Sequence, residues 1–384
     1  MRFMMSLASR RELVAATTLR YQKSSKKDKG TILDEFVAGT GYDRKYAIVL
    51  LRRPRQSVRR PPLPRRRTCK YGPNVKHALT ELWQLSDCQC GKLLVAALPL
   101  LIDRLKVFDE LTLCPDVEEK LRLISPATID RMLSKARREP ERGISTTKPG
   151  SLLKRQIPIR TFSDWDDLRP GFAEIDLVAH CGGDASGDFI YTLTLTDIAT
   201  GWVVLVAIPN RGELAVMAAL DKIRKILPFP LLGIDCDNGT EFINHNLNKY
   251  CQRHKITFTR SRPYRKNDQC YVEQKNGHVV RRLAGYARYE GEGAVNILNR
   301  LYINDHMFLN FFQPCRKLTS KLREGAKVKK EYDDPQTPYA RTFPTLSQER
   351  QAELKSYFEG INPALIRRRM ADLGHELAKE AVHA

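Results

Sequence analysis

The sequence predicts an α/β protein in which a mixed sheet carries helices on its faces and all-α segments precede it. The helical part is predicted by apolar residues that recur every three or four positions before Gly143. The sheet is predicted by a change at Gly171, after which short apolar, β-branched runs alternate with turns and single helices. A length of 384 residues exceeds one comfortable core, so we expect several domains.

The charge balance indicates a polyanionic partner. The chain has 65 Lys and Arg residues against 44 Asp and Glu, a formal net charge of +21, and such an excess favours nucleic acid through counterion release. No run approaches about 18 uninterrupted apolar residues, and the amino terminus lacks an apolar signal-peptide core. Nine scattered cysteines suit a reducing compartment. We expect a cytoplasmic protein, nucleoid-associated in a bacterium, that binds double-stranded DNA and no membrane.

Residues 1–52 are predicted to form a helix-turn-helix domain. A first helix is expected from Ser9, its N-cap. A second helix over Thr31–Val37 is broken by Gly39-Thr40-Gly41, and another follows from Tyr42 to Leu51. The second helix of such a motif enters the major groove, and a generic three-helix bundle would explain the pattern equally well. The candidate DNA contacts are Arg44, Lys45 and Tyr46.

A basic Pro/Arg linker is predicted over residues 53–73, where Arg65, Arg66 and Arg67 are candidates for contact with DNA. A solvated charge run is the alternative. Residues 74–142 predict a second helical domain, possibly another helix-turn-helix with Ala127–Arg137 as its recognition helix, although packing alone would also explain the pattern. Residues 143–165 predict a flexible linker.

Residues 166–290 predict the sheet domain. Three consecutive strands are expected to pair antiparallel, and later strands separated by helices extend the sheet, which is the arrangement of a ribonuclease H-like domain. In chain order the expected elements are strands Phe172–Ala179, Phe189–Asp197 and Trp202–Ile208, helix Leu214–Leu227, strand Leu231–Asp235, helix Asn244–His254, strand Ile256–Thr259 and helix Val272–Tyr286.

Three carboxylates in this domain have a characteristic spacing. Sixty residues lie between Asp176 and Asp237, and thirty-five between Asp237 and Glu273. Carboxylates that converge from different elements suit Mg²⁺ or Mn²⁺ and predict phosphoryl-transfer chemistry on nucleic acid. Glu174 and Asp235 are rivals, because strand alternation gives each the same face as the carboxylate two residues later. We select Asp176 because it follows the apolar residues at the start of the strand, and Asp237 because it begins Asp-Asn-Gly.

The domain resembles the DDE integrase and transposase superfamily, especially bacterial insertion-sequence transposases. The resemblance covers about residues 160 to 290 and rests on several motifs together. These are Glu174-Ile175-Asp176, Thr196-Asp197 with Thr200-Gly201-Trp202, Asp235-Cys236-Asp237-Asn238-Gly239-Thr240-Glu241-Phe242, Arg262-Pro263-Tyr264, Lys266-Asn267-Asp268 and Val272-Glu273-Gln274-Lys275-Asn276.

The resemblance implies that Asp176, Asp237 and Glu273 are catalytic residues and ligate two Mg²⁺ ions, for which Mn²⁺ would substitute. It also implies phosphodiester hydrolysis at the ends of a mobile element, followed by attack of the freed 3′-hydroxyl on target DNA. No covalent protein intermediate is implied. Paired element ends require at least a dimer. The alternatives are a ribonuclease H-like nuclease and a domesticated helix-turn-helix regulator.

Further DNA contacts are predicted around the last helix of this domain. Asn276 and Arg281 are expected to share the face of Glu273 by three- and four-residue steps. A basic, aromatic loop before the helix suits phosphate contact and base stacking. Its candidate residues are Arg262, Tyr264, Arg265 and Lys266. Residues 291–384 predict a basic and helical C-terminal extension that binds DNA, assembles protomers or packs on the core.

Overall fold

A computed structural model describes residues 5–52, 70–137, 159–160, 169–237, 239, 241–261, 270–325 and 327–382. The chain divides into two compact units, Met1–Lys70 and Tyr71–Ala384.

The first unit is a three-helix bundle, and its helices follow one another in the order that the sequence predicts. Ser6, rather than the expected Ser9, caps the first helix, because the Ser6 hydroxyl accepts a bond from the Ser9 backbone N–H. Gly41 ends the second helix with φ of 69°, a left-handed conformation that glycine adopts without steric cost. The helices are α1 (Leu7–Lys23), α2 (Lys26–Thr40) and α3 (Arg44–Arg52). Their buried core comprises Tyr21, Ile32, Leu33, Phe36, Ala47 and Leu51.

The second unit begins with four helices, α4 (Pro73–Leu85), α5 (Gly91–Val107), α6 (Pro115–Arg122) and α7 (Pro126–Met132). Ser125 caps α7, and Pro126 stands at its first position. The expected recognition helix is shorter than predicted, because α-helix stops at Met132 and turns follow to Arg137.

The α4–α7 helices share one hydrophobic core with the sheet that follows. Two acidic residues also tie them to later helices. Glu110 pairs with Arg368 at 2.6 Å, and Asp87 pairs with both Arg282 at 2.8 Å and Arg367 at 3.3 Å. Residues 74–137 and the sheet therefore belong to a single compact body.

The sheet has the strand order β1-β6-β5-β2-β3-β4. β2, β3 and β4 form an antiparallel meander, and β5 adds parallel to β2, β6 to β5 and β1 to β6. This confirms the predicted ribonuclease H-like mixed sheet. The elements are β1 (Ile159–Arg160), β2 (Phe172–Ala179), β3 (Tyr191–Asp197), β4 (Val203–Ile208), α8 (Glu213–Ile226), β5 (Gly233–Cys236), α9 (His245–Arg253) and β6 (Thr257–Ser261).

The last helix of the sheet domain is interrupted. α10 (Cys270–Lys275) passes into a π-helical turn over Asn276–Val280 and then into α11 (Arg281–Ala284). A π turn adds one residue per helical turn, so it rotates everything downstream relative to an unbroken α-helix.

The C-terminal part contains the expected helices and, unlike the prediction, an antiparallel hairpin. Its elements are α12 (Gly291–Phe312), β7 (Leu318–Glu324), β8 (Lys327–Tyr332), α13 (Pro338–Thr342), a 3-10 turn over Phe343–Thr345, α14 (Gln348–Glu359) and α15 (Pro363–Lys379). The basic stretch therefore forms strands, in which side chains alternate between faces. Among the described helices, none is long and apolar enough to cross a membrane.

Candidate active site

Two of the predicted carboxylates lie at the same edge of the sheet, one on a strand and one just after the neighbouring strand. The parallel pair β2–β5 sets Ile175 opposite Cys236, the last residue of β5, so Asp176 is the next residue on β2 and Asp237 is the first residue after β5. Burial, followed by the negative charges of Asp237, Glu241 and Glu273, raises the pKa of Asp176 to about 8. Asp176 therefore lies close enough to three other carboxylates to feel the charge of each.

Asp237 occupies a tight turn beyond β5. Its Oδ1 accepts a 2.8 Å hydrogen bond from the Gly239 N–H, and burial raises the pKa of Asp237, with a further contribution from Glu241. A Cβ on Gly239 would stand 2.9 Å from Asp237 Oδ1 and 2.7 Å from Glu241 Cδ. Only glycine leaves this space to the two carboxylates. Glu241 belongs to the cluster, although the site prediction omitted it. Its position two residues after Gly239, in the same turn as Asp237, could have indicated this.

Glu273 owes its position to a different buried carboxylate. Oε2 of Glu174, on β2, accepts backbone hydrogen bonds of 2.9 Å from Tyr271 and Val272 in the first turn of α10. A carboxylate at this point satisfies N–H groups that have no partner within the helix and complements the positive end of its dipole. Glu174 thereby fixes the start of the helix that carries Glu273.

The other rival, Asp235, is also engaged in the interior. It is fully buried on β5, and its Oδ1 accepts a 2.6 Å hydrogen bond from the Thr259 hydroxyl of β6. The two rivals thus hold neighbouring elements together, and the more open edge of the sheet is left to Asp176 and Asp237.

Asn276 contacts the carboxylate cluster directly. Its Nδ2 donates a 2.6 Å hydrogen bond to Asp176 Oδ2, while its own Oδ1 is buried and has no partner among the described atoms. The amide therefore orients Asp176 and offers one oxygen for a further donor. The pairing joins the first turn of the π segment to β2.

Arg281 does not share the surface of Glu273 in the way that an unbroken α-helix would require. The preceding π turn rotates it, and its guanidinium donates a 2.9 Å hydrogen bond to the Ala179 carbonyl at the end of β2 and lies 5.0 Å from the Tyr286 ring centre. Burial lowers the pKa of Arg281. Its side chain has a structural role, and its contact with DNA stays a prediction.

The predicted DNA contacts of the first unit lie at the start of α3. Lys45 and Tyr46 are exposed, with Tyr46 at 53% of its full accessibility, and Arg44 is exposed while paired with Asp34. Seven other candidates lie outside the described residues: Arg65, Arg66, Arg67, Arg262, Tyr264, Arg265 and Lys266.

The donor set suits hard divalent cations. Four carboxylates concentrate negative charge here, and the groups that act on Asp176 through their charge are all acidic. No group of three or more His, Cys, Asp or Glu side chains in the described part is arranged to hold an ion. Mg²⁺ does not require such a cage, since it keeps several waters and binds through one or two carboxylates together with substrate phosphate. Asp176, Asp237 and Glu273 fit that mode of binding.

Comparisons with known proteins define the class. The family model "Integrase core domain" matches residues 168–266. The catalytic core domain of BIV integrase is 19% identical in sequence to this protein. The alignment covers 49% of this chain and 98% of the BIV chain, with a TM-score of 0.31. The HTLV-2 integrase catalytic core domain in complex with magnesium is 18% identical in sequence. That alignment covers 29% of this chain and 68% of the HTLV-2 chain, with a TM-score of 0.24.

Residues 168–266 of this protein are therefore an integrase core domain, the kind of domain found in the DDE integrase and transposase superfamily. Most of the chain is also similar to the uncharacterized protein y4rM of Sinorhizobium fredii. The two are 46% identical over 338 residues, which cover 88% of this chain and 95% of y4rM, so both belong to one family.

Proposed function

We propose that this protein is a DNA transposase that cleaves the ends of a mobile element and joins their 3′-hydroxyls to target DNA, with two Mg²⁺ ions held by Asp176, Asp237 and Glu273. One observation carries the proposal. Asp176 from a strand, Asp237 from a turn and Glu273 from a helix meet at one edge of an integrase-type sheet. The charges of Asp237 and Glu273 both raise the pKa of Asp176. HTLV-2 integrase, whose core has been solved with magnesium, supports the choice of metal.

The bound ions would supply activation of a water or 3′-hydroxyl and stabilisation of the leaving oxygen in an in-line displacement. The protein's own residues prepare the site. Asn276 holds Asp176 by its 2.6 Å hydrogen bond, and Glu174 fixes the first turn of the helix that carries Glu273. Gly239 lets the Asp237 and Glu241 carboxylates approach one another. The reaction needs no covalent protein intermediate.

The proposed substrate is double-stranded DNA, gripped at the element ends by the helix-turn-helix of the first unit. Lys45 and Tyr46 are exposed at the start of α3, the helix that would enter the major groove. The net charge of +21 supports attraction to duplex phosphates. Two ends must be paired for insertion, so the active form is at least a dimer.

The test is a strand-transfer assay with Mg²⁺ or Mn²⁺ on duplexes that carry the terminal sequences of the native element. Glu273→Gln keeps the side-chain shape and removes the charge, so we expect joined product to fall by at least about 100-fold with DNA binding retained. Asp372→Asn, at an exposed position of α15, is the matched control and should join ends like the parent.

Each rival function has its own outcome in this assay. Hydrolysis without joining, lost in Glu273→Gln, would indicate a nuclease. Binding of the ends with no product from the parent under either metal would favour a regulator. Equal product from the parent and Glu273→Gln would place the active site elsewhere.

A further inference from the structure

The β7–β8 hairpin is a basic ribbon that extends into solvent. Residues 316–332 contain seven Lys or Arg and two Glu. All six residues of β8 are exposed, and Leu322 on β7 retains 54% of its accessibility. A two-stranded hairpin without a packing partner is only marginally stable in water, so such a ribbon is typical of a surface that binds something else.

The two faces of the ribbon differ in charge. Alternation along β8 puts Lys327, Lys329 and Glu331 on one face and Val328, Lys330 and Tyr332 on the other. Glu331 lies 3.2 Å from Lys329 and accepts a bond from the Ser320 hydroxyl, which partly neutralises the first face.

The second face carries no acidic residue. The register sets Lys321 opposite Lys330 and Arg323 opposite Val328.

The base of the ribbon is held firmly although its body is exposed. The Arg316 guanidinium donates to the carbonyls of Asp333 and Tyr332, and the Lys317 backbone N–H donates to Asp333 Oδ1 at 2.6 Å. Lys317 Nζ reaches the Ala199 carbonyl at 2.6 Å, in the turn between β3 and β4. The hairpin is therefore an arm fixed to the sheet at its root.

The root lies away from the carboxylate cluster. The Ile198 N–H donates to the Phe172 carbonyl, so the β3–β4 turn sits beside the first residue of β2. Asp176 is four residues further along that strand, which is roughly 13 Å at 3.3 Å per residue. The root of the arm is therefore separate from the carboxylate cluster.

We propose that the β7–β8 hairpin is a second DNA-binding element, which grips duplex phosphates without reading sequence and at a distance from the reacting phosphodiester. Two features favour duplex DNA as the occupant. The face that lacks acid offers cationic and apolar side chains together with the aromatic ring of Tyr332, and ammonium groups contact phosphates as point charges without base preference. A two-stranded ribbon also has the width that the major groove admits.

The inference rests on the proposed function only in taking DNA as the ligand, since it requires no catalysis. Its test is equilibrium binding of the full chain to a random-sequence duplex in EDTA over a series of salt concentrations. The variant is Lys330→Gln with Lys321→Gln, which removes two positive charges from the face without acid; Lys330 is exposed and has no ion-pair partner among the described residues, and Lys321 is opposite it in the register. The matched control is Lys222→Gln with Lys379→Gln, two exposed lysines on α8 and α15.

We expect the slope of log K against log salt to become shallower by about 2 in the hairpin variant, and Kd at 0.1 M salt to rise roughly 10- to 60-fold. The control should keep the slope of the parent. Element-end and random duplexes should lose affinity by the same factor, because phosphate contacts carry no sequence information.

Three outcomes would overturn the inference. An unchanged slope in the hairpin variant would remove the arm from the DNA interface. Unchanged binding with increased aggregation would mean that the lysines only keep the exposed strand edges from pairing. Unchanged DNA binding with a lower oligomeric state would assign the ribbon to a second copy of the chain. A parent that binds DNA with the expected slope but joins no ends would refute the proposed chemistry and leave the arm standing.

Discussion

Gly239→Ala tests whether the approach of the carboxylates sets activity. The added methyl would stand 2.7 Å from Glu241 Cδ, 2.8 Å from Glu241 Oε1 and 2.9 Å from Asp237 Oδ1. Ordinary contact is about 3.5 Å, so these groups must withdraw by roughly 0.6–0.8 Å. All are ends of rotatable side chains, so we expect the unfolding free energy to fall by no more than about 1.5 kcal/mol.

The same displacement should be costly for the reaction, because a shift of about 1 Å at a reacting group can lower a rate about 100-fold. We therefore expect strand transfer to fall by at least about 10-fold, with random-duplex binding unchanged. Gly183→Ala is the control, since a Cβ there meets nothing within 4 Å. Parent-level joining by Gly239→Ala in a protein with normal thermal stability would refute the reasoning.

Three other predictions concern the support of the site, a buried acid and the metal. Glu174→Gln should lower the unfolding free energy by roughly 1–2 kcal/mol, because it removes the charge from two helix-end hydrogen bonds. It should also reduce the joining of DNA ends. Denaturant titration measures the first effect and the strand-transfer assay the second, and an unaltered joining rate would contradict the positioning role of Glu174. Burial, with the charge of Asp87, raises the pKa of Asp305 to about 7, so its contribution to stability is full below about pH 4 and lost as the pH rises through 7. Asp305→Asn should therefore melt like the parent near pH 4 and be more stable at pH 8, by up to roughly 4 kcal/mol; equal melting temperatures at both pH values would refute this. EDTA should abolish joining while DNA binding persists, and added Mg²⁺ or Mn²⁺ should restore the product; joining that survives thorough chelation would exclude the metal-dependent reaction.

The strands of the sheet could be predicted because their apolar, β-branched runs end at turn residues. β2 spans Phe172–Ala179, as the sequence predicts, and the other boundaries differ by a few residues. The hairpin was missed for the converse reason. Strand preference largely reflects packing on a half-buried surface, and a ribbon of lysines packs on nothing, so its sequence carries no apolar alternation.

The site was predictable only where its chemistry is local in sequence. The resemblance singled out Asp176, Asp237 and Glu273 through short motifs. The role of Glu174 depends on hydrogen bonds to residues almost one hundred positions away, and strand alternation alone made it a rival of Asp176. The π turn at Asn276 has no periodic signal of its own, yet it decides where Arg281 points.

The common core of α4–α7 and the sheet has a consequence for how such proteins diversify. A module joined only by a linker can be exchanged for another by recombination, because each part keeps its own interior. Here, removal of α4–α7 and the turns between them would strip the partner Asp87 from Arg282 and Arg367 and uncover apolar side chains of α12 and α15. Change in this half of the chain must therefore proceed by point substitution on a retained scaffold, and an isolated catalytic fragment that begins after residue 142 should be poorly soluble.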